Sequence, residues 1–206
     1  MPIIGSYGMG GRSANRGSRS ALSAPCGRFA RARERNEVCI SMEYRKPIFD
    51  DIEDIYKLVM EYAKEGVMLA RSRNTLYETI RDMIVAVDEN NRVVGVGALH
   101  IIWAELAEVR TMAVSPSAIR QGIGAEIVRR LLEEGRSLGV KKFFTLTYKP
   151  GFFQTLGFRT ITKNDLPHKV WKDCIECPKF PNCDEIAMEL DESGEIGSIA
   201  EVQWEI

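Results

Sequence analysis

The sequence predicts an α+β domain in which helices flank a mixed, mostly antiparallel sheet. Segments whose apolar residues alternate with the period of two typical of strands are interspersed with segments of helical periodicity. Two β-rich segments are separated only by a short polar turn, which predicts a hairpin and hence antiparallel pairing. Further along, an apolar strand passes through a Gly-x-Gly turn into an amphipathic helix. Strands and helices mixed in this order indicate a single α/β or α+β domain.

Residues 1–41 differ in composition from the rest of the chain. They contain seven arginines, no lysine, two glutamates and many glycine, serine and alanine residues. Such a segment cannot bury enough apolar surface to offset its ordering entropy, so we expect a disordered extension. Residues 42–206 are expected to form the folded domain. A translation start at Met42 or a transit peptide would each explain the extension.

The domain begins with a short strand and a helix. A strand at 42–46 stops before Pro47, because proline has no amide hydrogen for a strand ladder. Asp50 and Asp51 are typical helix N-caps, and the apolar residues after them recur at helical spacing. Gly66 marks the end of this helix.

A second helix, the hairpin and a further strand follow. We predict the second, shorter helix over 76–84. Residues 84–102 form the hairpin about a polar turn at 88–91. The apolar run 106–114 is another strand, and Pro116 terminates it.

The last part of the domain alternates helices and strands. Residues 123–137 form a helix with its apolar side chains on one face. After the turn at Gly139, residues 141–148 are rich in β-forming residues and predict a strand. A short helix is predicted within 151–158, and the chain returns to a strand at 184–191 after an irregular segment.

The Gly-x-Gly turn is the most informative local feature. Gly122 and Gly124 lie where the apolar strand gives way to the helix. The first turn of a helix has unpaired N–H groups and the positive end of the helix dipole, and glycine lets an anion approach the backbone. The pattern indicates a phosphate site, although a plain tight turn would also explain the two glycines.

The segment AEVRTMAVSPSAIRQGIGAEIVRRLL, followed by FFQTLGF, resembles the GNAT superfamily of acetyl-CoA-dependent N-acetyltransferases. The resemblance runs over about residues 44–190. It implies the GNAT (acyl-CoA N-acyltransferase) fold, with acetyl-CoA as the co-substrate. It also implies that backbone groups of the strand bind the pantetheine arm and that the turn binds the pyrophosphate. The residues so implicated are Met112, Ala113, Val114, Arg120, Gln121, Gly122, Ile123, Gly124 and Ala125.

Two positions depart from the family pattern. Ile119 stands where arginine or glutamine is usual, and Arg120 follows one position later. Phe153 stands where a tyrosine of the family often protonates the departing CoA thiolate. Tyr148, at the end of the preceding strand, is therefore the candidate general acid, with an ordinary strand-end tyrosine as the alternative.

Acetyl transfer to an amine also requires a base, because the acceptor ammonium must first lose a proton. Glu108 lies on an otherwise apolar strand. Burying a carboxylate there costs free energy, so we expect it to have a catalytic role or an ion-pair partner. Period-two alternation predicts that it shares a face with Met112. It falls where several GNAT enzymes carry a catalytic glutamate, so we predict a base or water-orienting residue. The alternative is an ion pair with Arg110.

The resemblance also implies how the acetyl group moves. The family transfers it directly within a ternary complex, without an acyl-enzyme. To admit the thioester, the strand that carries Glu108 and the strand that ends at Tyr148 should separate.

The segments 166–188 and 69–85 resemble the short single-domain amino-acid N-acetyltransferases of arginine biosynthesis, of the N-acetylglutamate synthase type. The implied reaction is acetyl transfer to the α-amine of L-glutamate, the first step of that pathway. Two carboxylates need cationic partners, and we expect two of four residues to reach the acceptor pocket. The four are Arg71, Arg73, Arg110 and Lys169.

Other functions stay open at this point. The acceptor could be another amino acid, a small amine or a protein N-terminus. A non-catalytic CoA-binding regulatory module is a further alternative, which Phe153 favours and Glu108 disfavours.

A cysteine cluster raises the question of a metal. Cys174, Cys177 and Cys183, with His168 upstream, could supply four zinc ligands. A second Cys-x2-Cys pair is absent from the sequence, so we expect a folded loop with free thiols and no metal.

The net charge and the number of cysteines indicate which partners and which cellular compartment to expect. The net charge is −1, and no apolar run approaches the roughly 18 residues of a membrane span. We therefore expect a small-molecule amino-acid substrate and neither nucleic acid nor membrane as partner. Five cysteines without a recognisable signal peptide indicate the reducing cytoplasm. A homodimer stays open.

Overall fold

The computed structural model describes residues 42–166, 175, 177, 179 and 181–194, and all structural statements concern these residues. The predicted extension 1–41 lies outside them. The strands are β1 (Glu43–Arg45), β2 (Met83–Val87), β3 (Val93–Trp103), β4 (Leu106–Val114), β5 (Lys142–Thr147), β6 (Arg159–Thr160) and β7 (Ile186–Asp191). The helices are α1 (Ile52–Lys64), α2 (Arg73–Glu78), α3 (Ile123–Ser137) and α4 (Pro150–Gln154).

The strands form one sheet in the order β1-β2-β3-β4-β5-β7-β6. Neighbours pair antiparallel except β4 and β5, which run parallel. This confirms the predicted mixed, mostly antiparallel sheet. The β2–β3 turn is held by Asp88, whose Oδ1 accepts hydrogen bonds from the backbone N–H groups of Asn90 and Arg92, both at 2.9 Å.

The two larger apolar clusters of the described residues lie on opposite faces of the sheet. Ile127 and Leu131 of α3 pack over one face, and Ile55 and Val59 of α1 pack over the other. A Cβ atom at Gly97 of β3 would lie only 2.7 Å from Ile127 Cγ2. Glycine at this position therefore lets α3 approach the centre of the sheet closely. None of the helices in the described part of the chain is long and apolar enough to cross a membrane.

The second helix differs from its prediction over 76–84. α2 begins earlier, because the Ser72 side chain accepts a hydrogen bond from the Thr75 N–H at 3.1 Å and caps the helix. It ends at Glu78, and Met83 and Ile84 already belong to β2. Both side chains are buried on opposite faces of the sheet, so tertiary burial overrides their local helical spacing.

A bulge interrupts β4 next to the centre of the sheet. Thr111 and Met112 together stand opposite Gly97 of β3, and Thr111 has a φ of 56°. A positive φ is rare for a β-branched residue. The extra residue reverses the alternation, so that Val109 before the bulge and Met112 after it both face the α3 core. The expectation that Glu108 and Met112 share a face is therefore wrong.

Candidate active site

β4 and β5 pair only over their first three residues. The last pair joins Glu108 to Phe144, although β4 continues to Val114 and β5 to Thr147. Beyond this pair the strands separate, as predicted, and open into a cleft of about 940 Å³. One wall is formed by β4 and the turn before α3, and the other by the end of β5, the start of α4 and part of segment 177–185.

Most of the residues predicted to bind CoA line this cleft. They are Met112, Val114, Arg120, Gly122, Ile123, Gly124 and Ala125. The side chain of Ala113 does not, because the bulge turns it into the α1 core. Gln121 is exposed, is not part of the lining, and donates from Nε2 to the Ser117 carbonyl at 3.4 Å. The predicted roles rest on backbone groups and stay predictions.

The turn before α3 combines a left-handed backbone with open space. Gly122 has a φ of 80°, and no heavy atom outside its chain neighbours lies within 4 Å of the position that a Cβ atom would occupy. Arg120 also has a positive φ, 67°. The unpaired N–H groups in the first turn of α3 therefore begin beside an open part of the cleft, where an anion could reach them.

Glu108 lies where β4 and β5 diverge. Its side chain lines the cleft and is 14% exposed, and that of Arg110 is 13% exposed. Glu108 Oε2 lies 3.7 Å from Arg110 Nη1, so the ion pair that we considered as the alternative is present, at more than hydrogen-bonding distance. A carboxylate in the cleft can still accept a proton from an acceptor that approaches through the same opening.

The four basic residues predicted for the acceptor have different locations. Arg71 and Arg110 line the cleft. Arg73 does not line it. Its Nε and Nη2 donate to the Glu53 carboxylate at 2.5 and 2.9 Å, and its guanidinium carbon lies 3.8 Å from the centroid of the Tyr56 ring. The first turn of α2 directs Arg73 towards α1, which corrects its predicted role. Lys169 lies outside the described residues.

Tyr148 lines the cleft at the end of β5. Its hydroxyl donates to Asp184 Oδ1 and accepts a hydrogen bond from Lys179 Nζ. The ammonium group also lies 4.4 Å from the centroid of the ring. Burial, together with the hydrogen bond to Asp184, raises the pKa of the Tyr148 phenol, and Lys179 acts in the opposite direction. The phenol is therefore protonated at neutral pH and has a proton to give.

Phe153 has a structural role. It is 3% exposed and packs edge-on against Phe152 and Phe158, with ring centroids 5.0 and 5.3 Å away. Its ring packs in the core beneath the cleft. As the sequence indicated, a phenylalanine at this position has no acidic proton to donate.

Sequence reasoning missed three polar residues of the site. The hydroxyl of Tyr62 of α1 donates a hydrogen bond to the Val114 carbonyl at 2.6 Å, although the sequence indicated only its place in a helical pattern. Lys179 and Asp184 contact Tyr148 from more than 30 residues away. Only the folded chain brings these side chains together, so no local pattern could have identified them.

The described cysteines are free thiols at the cleft. Cys177 and Cys183 line it, and Cys183 Sγ donates to Glu185 Oε2 at 3.6 Å. Cys174 and His168 lie outside the described residues. Among the described residues, no group of three or more histidine, cysteine, aspartate or glutamate side chains is arranged to bind a metal. The absence of a metal stays a prediction.

Comparisons with known proteins identify the family of this chain. The model of the acetyltransferase (GNAT) family matches residues 49–158. An N-acetyltransferase of Chlorobaculum tepidum is 40% identical over 138 residues, which are 67% of this chain and 88% of that protein. The amino-acid acetyltransferase of Mycobacterium tuberculosis is 37% identical over 131 residues, 63% of this chain and 75% of that protein. The one from Neisseria meningitidis is 30% identical, but the match spans only 28% of its length.

Solved structures of other proteins are similar to this one, among them the following two. Rv2747 from Mycobacterium tuberculosis, in complex with CoA and NLQ, has a TM-score of 0.64 and 32% identity over 72% of this chain and 98% of that chain. N-acetylglutamate synthase from Neisseria gonorrhoeae, complexed with coenzyme A and N-acetyl-glutamate, has a TM-score of 0.67. Its identity is 23%, over 74% of this chain and 35% of that chain, so this likeness concerns the fold alone.

Proposed function

Because the chain belongs to the acetyltransferase (GNAT) family, it is an acyltransferase, and we propose that it transfers acetyl from acetyl-CoA to the α-amine of L-glutamate. The observation that carries the proposal is the position of Glu108. It lies where β4 and β5 diverge, in a cleft that Arg71 and Arg110 also line. Relatives named amino-acid acetyltransferase support an amino acid as the acceptor.

The cleft fits acetyl-CoA, which supplies the acetyl group as a thioester. The open space above Gly122 and the start of α3 suit the pyrophosphate, since N–H groups there lack helix partners. Arg120 lines the same region and supplies a positive charge. The part of β4 that has separated from β5 presents the edge along which Met112 and Val114 would hold the pantetheine arm.

Two residues of the cleft are proposed to act as the general base and the general acid. Glu108 accepts the proton that the acceptor ammonium must lose before its nitrogen can attack, directly or through a water molecule. Tyr148, on the opposite wall, supplies the proton that the leaving sulfur needs. Since one lies on β4 and the other beyond β5, both face the opening between the two strands.

Two guanidinium groups support an acceptor with two carboxylates. Arg71 and Arg110 line the cleft from different elements, and arginine binds carboxylates in a bidentate geometry. We infer glutamate, and hence the first step of arginine biosynthesis, from this pair. Cys177 and Cys183 are free thiols, which is consistent with a protein and a pathway located in the reducing cytoplasm.

A thiol-release assay with acetyl-CoA tests the proposal across the twenty amino acids, small amines and a peptide with a free N-terminus. We expect the highest kcat/KM with L-glutamate. Turnover with the peptide but with none of the amino acids would refute the acceptor class. CoA binding by calorimetry without turnover of any acceptor would instead favour the non-catalytic regulatory module.

A further inference from the structure

Two side chains, those of Lys179 and Asp184, meet at the phenol oxygen of Tyr148. The Tyr148 hydroxyl donates a hydrogen bond to Asp184 and accepts one from Lys179, so it lies between an anion and a cation. The same Lys179 ammonium donates to the carbonyl of Gly66, in the segment after α1, at 2.8 Å. Lys179 thereby connects the Tyr148 hydroxyl to the segment that follows α1.

We propose that Lys179 and Asp184 are positioning residues that fix the Tyr148 hydroxyl in the cleft and that Lys179 restores its proton after each turnover. This inference rests on the proposed acetyl transfer. The Asp184 carboxylate orients the O–H bond, and the Lys179 ammonium contacts the oxygen on which negative charge develops when the proton leaves.

The proton balance of this step is simple. When the carbon–sulfur bond of the thioester breaks, its electron pair stays on sulfur. The Tyr148 O–H then exchanges its hydrogen bond to Asp184 for one to that sulfur and gives up its proton there, while Lys179 stays on the oxygen. The phenolate that remains takes a proton from Lys179 Nζ. Solvent water then reprotonates the lysine, whereas Asp184 stays ionised throughout.

Other charged groups also act on the phenol. Glu185 raises the pKa of Tyr148 from the same segment, and Lys163 lowers the pKa of Asp184. Glu108 and Arg110 line the β4 wall of the cleft. Among the hydrogen bonds between described residues, however, only those of Lys179 and Asp184 reach the phenol oxygen. Removing either partner should therefore move the titration of Tyr148 in a predictable direction.

The first test is the ultraviolet titration of Tyr148, taken as the difference between the wild-type protein and Tyr148→Phe. Lys179→Met should raise the midpoint by about one pH unit, because the phenolate loses its cation. Asp184→Asn should lower it, because the phenol loses the anion that holds its proton. Lys57→Met is the control: this exposed lysine pairs with Asp54 on α1, and the midpoint should not change. Unchanged midpoints in both test variants would overturn the assigned contacts.

The second test is steady-state kinetics with acetyl-CoA and glutamate. Lys179→Met should lower kcat about 100-fold with little change in the KM of glutamate, since losing a proton-transfer group typically costs about 10²–10⁴ in rate. Lys179→Arg keeps the cation but gives up its proton poorly. It should restore the midpoint of Tyr148 while kcat stays low.

Two kinetic outcomes separate the proposals. A kcat within threefold of wild type, with a higher KM and a lower melting temperature, would overturn the inference, because Lys179 would then only tie segment 177–185 to Gly66. A wild-type protein without acetyltransferase activity would refute the proposed function instead. The titration shifts are independent of turnover and would still decide whether Lys179 and Asp184 control the phenol.

Discussion

Gly122→Asp tests whether the turn before α3 binds the phosphates of CoA. The substitution places a side chain on a residue with a φ of 80°, which costs about 1–2 kcal/mol for an L-residue other than glycine. No heavy atom outside its chain neighbours lies within 4 Å of the new Cβ, so no steric clash adds to this cost. The domain should stay folded and melt about 2–8 °C lower.

The effect on CoA affinity should be larger. If a phosphate lies about 5 Å from the new carboxylate, an effective dielectric constant of about 20 gives a repulsion of about 3 kcal/mol. This corresponds to a loss of more than about 100-fold in affinity. Calorimetric titration with CoA measures the loss, and Gly122→Ala isolates the strain and the added volume from the charge.

Gly139→Asp is a matched control for this variant. Gly139 has a φ of 93°, also has no surrounding heavy atom within 4 Å of the place that a Cβ atom would take, and does not line the cleft. It should lose similar stability and keep its CoA affinity. Equal CoA affinities for Gly122→Asp and Gly139→Asp would refute the assignment of the turn as a phosphate site.

Two further predictions concern the acceptor site and the N-terminal segment. Arg71→Met should raise the KM of glutamate at least 10-fold, because a guanidinium group that lines the cleft is lost. Arg73→Met should change only the melting temperature, because Arg73 pairs with Glu53 outside the cleft. Equal effects of the two substitutions on the KM would contradict their different locations. Deletion of residues 1–41 should leave melting temperature and turnover nearly unchanged, because that segment lacks an apolar periodicity; a lower melting temperature in differential scanning calorimetry would show that it stabilises the domain.

Local sequence signals predicted most of the fold. α3 occupies its predicted range, 123–137. Gly122 is its N-cap, and the apolar residues of the helix lie on one face along its whole length. The β2–β3 hairpin turns at 88–91 as predicted, since aspartate and asparagine favour that geometry. In both cases local preference and tertiary packing favour the same structure.

The bulge in β4 could not be predicted. A strand pattern of period two contains no sign of an inserted residue, and threonine rarely adopts the positive φ that Thr111 has. The conformation depends on pairing with β3, where Gly97 faces two residues. The inference that Met112 shares a face with Glu108 was therefore wrong by one position.

The residues of the cleft could be predicted where a motif, a strand or a segment that resembles a known family contains them. Arg71 and Arg73 are two positions apart, and the sequence could not decide which one enters the cleft. The cap at Ser72 and the partner at Glu53 decide it in the folded chain. Lys179 reaches the site only through a long-range contact with Tyr148, for which the sequence contains no periodic or spacing signal.

Whether Glu108 removes the proton of the acceptor amine can be measured in the pH–rate profile of Glu108→Gln. The amide keeps the shape of the side chain but cannot accept the proton. Turnover at neutral pH should fall by about 10²–10⁴ while CoA affinity hardly changes. The loss should become smaller as pH rises, because more of the acceptor is then already neutral.

Glu105→Gln provides the control for this measurement, since Glu105 is an exposed glutamate that pairs with Lys141 outside the cleft. Its profile should match that of the wild-type protein. If Glu108 only pairs with Arg110, the Glu108→Gln variant should melt at a lower temperature and lose little activity at any pH. If Glu108 is the base, turnover of Glu108→Gln should fall strongly at neutral pH and recover as pH rises. Turnover within about threefold of wild type at pH 7–8 would exclude that role.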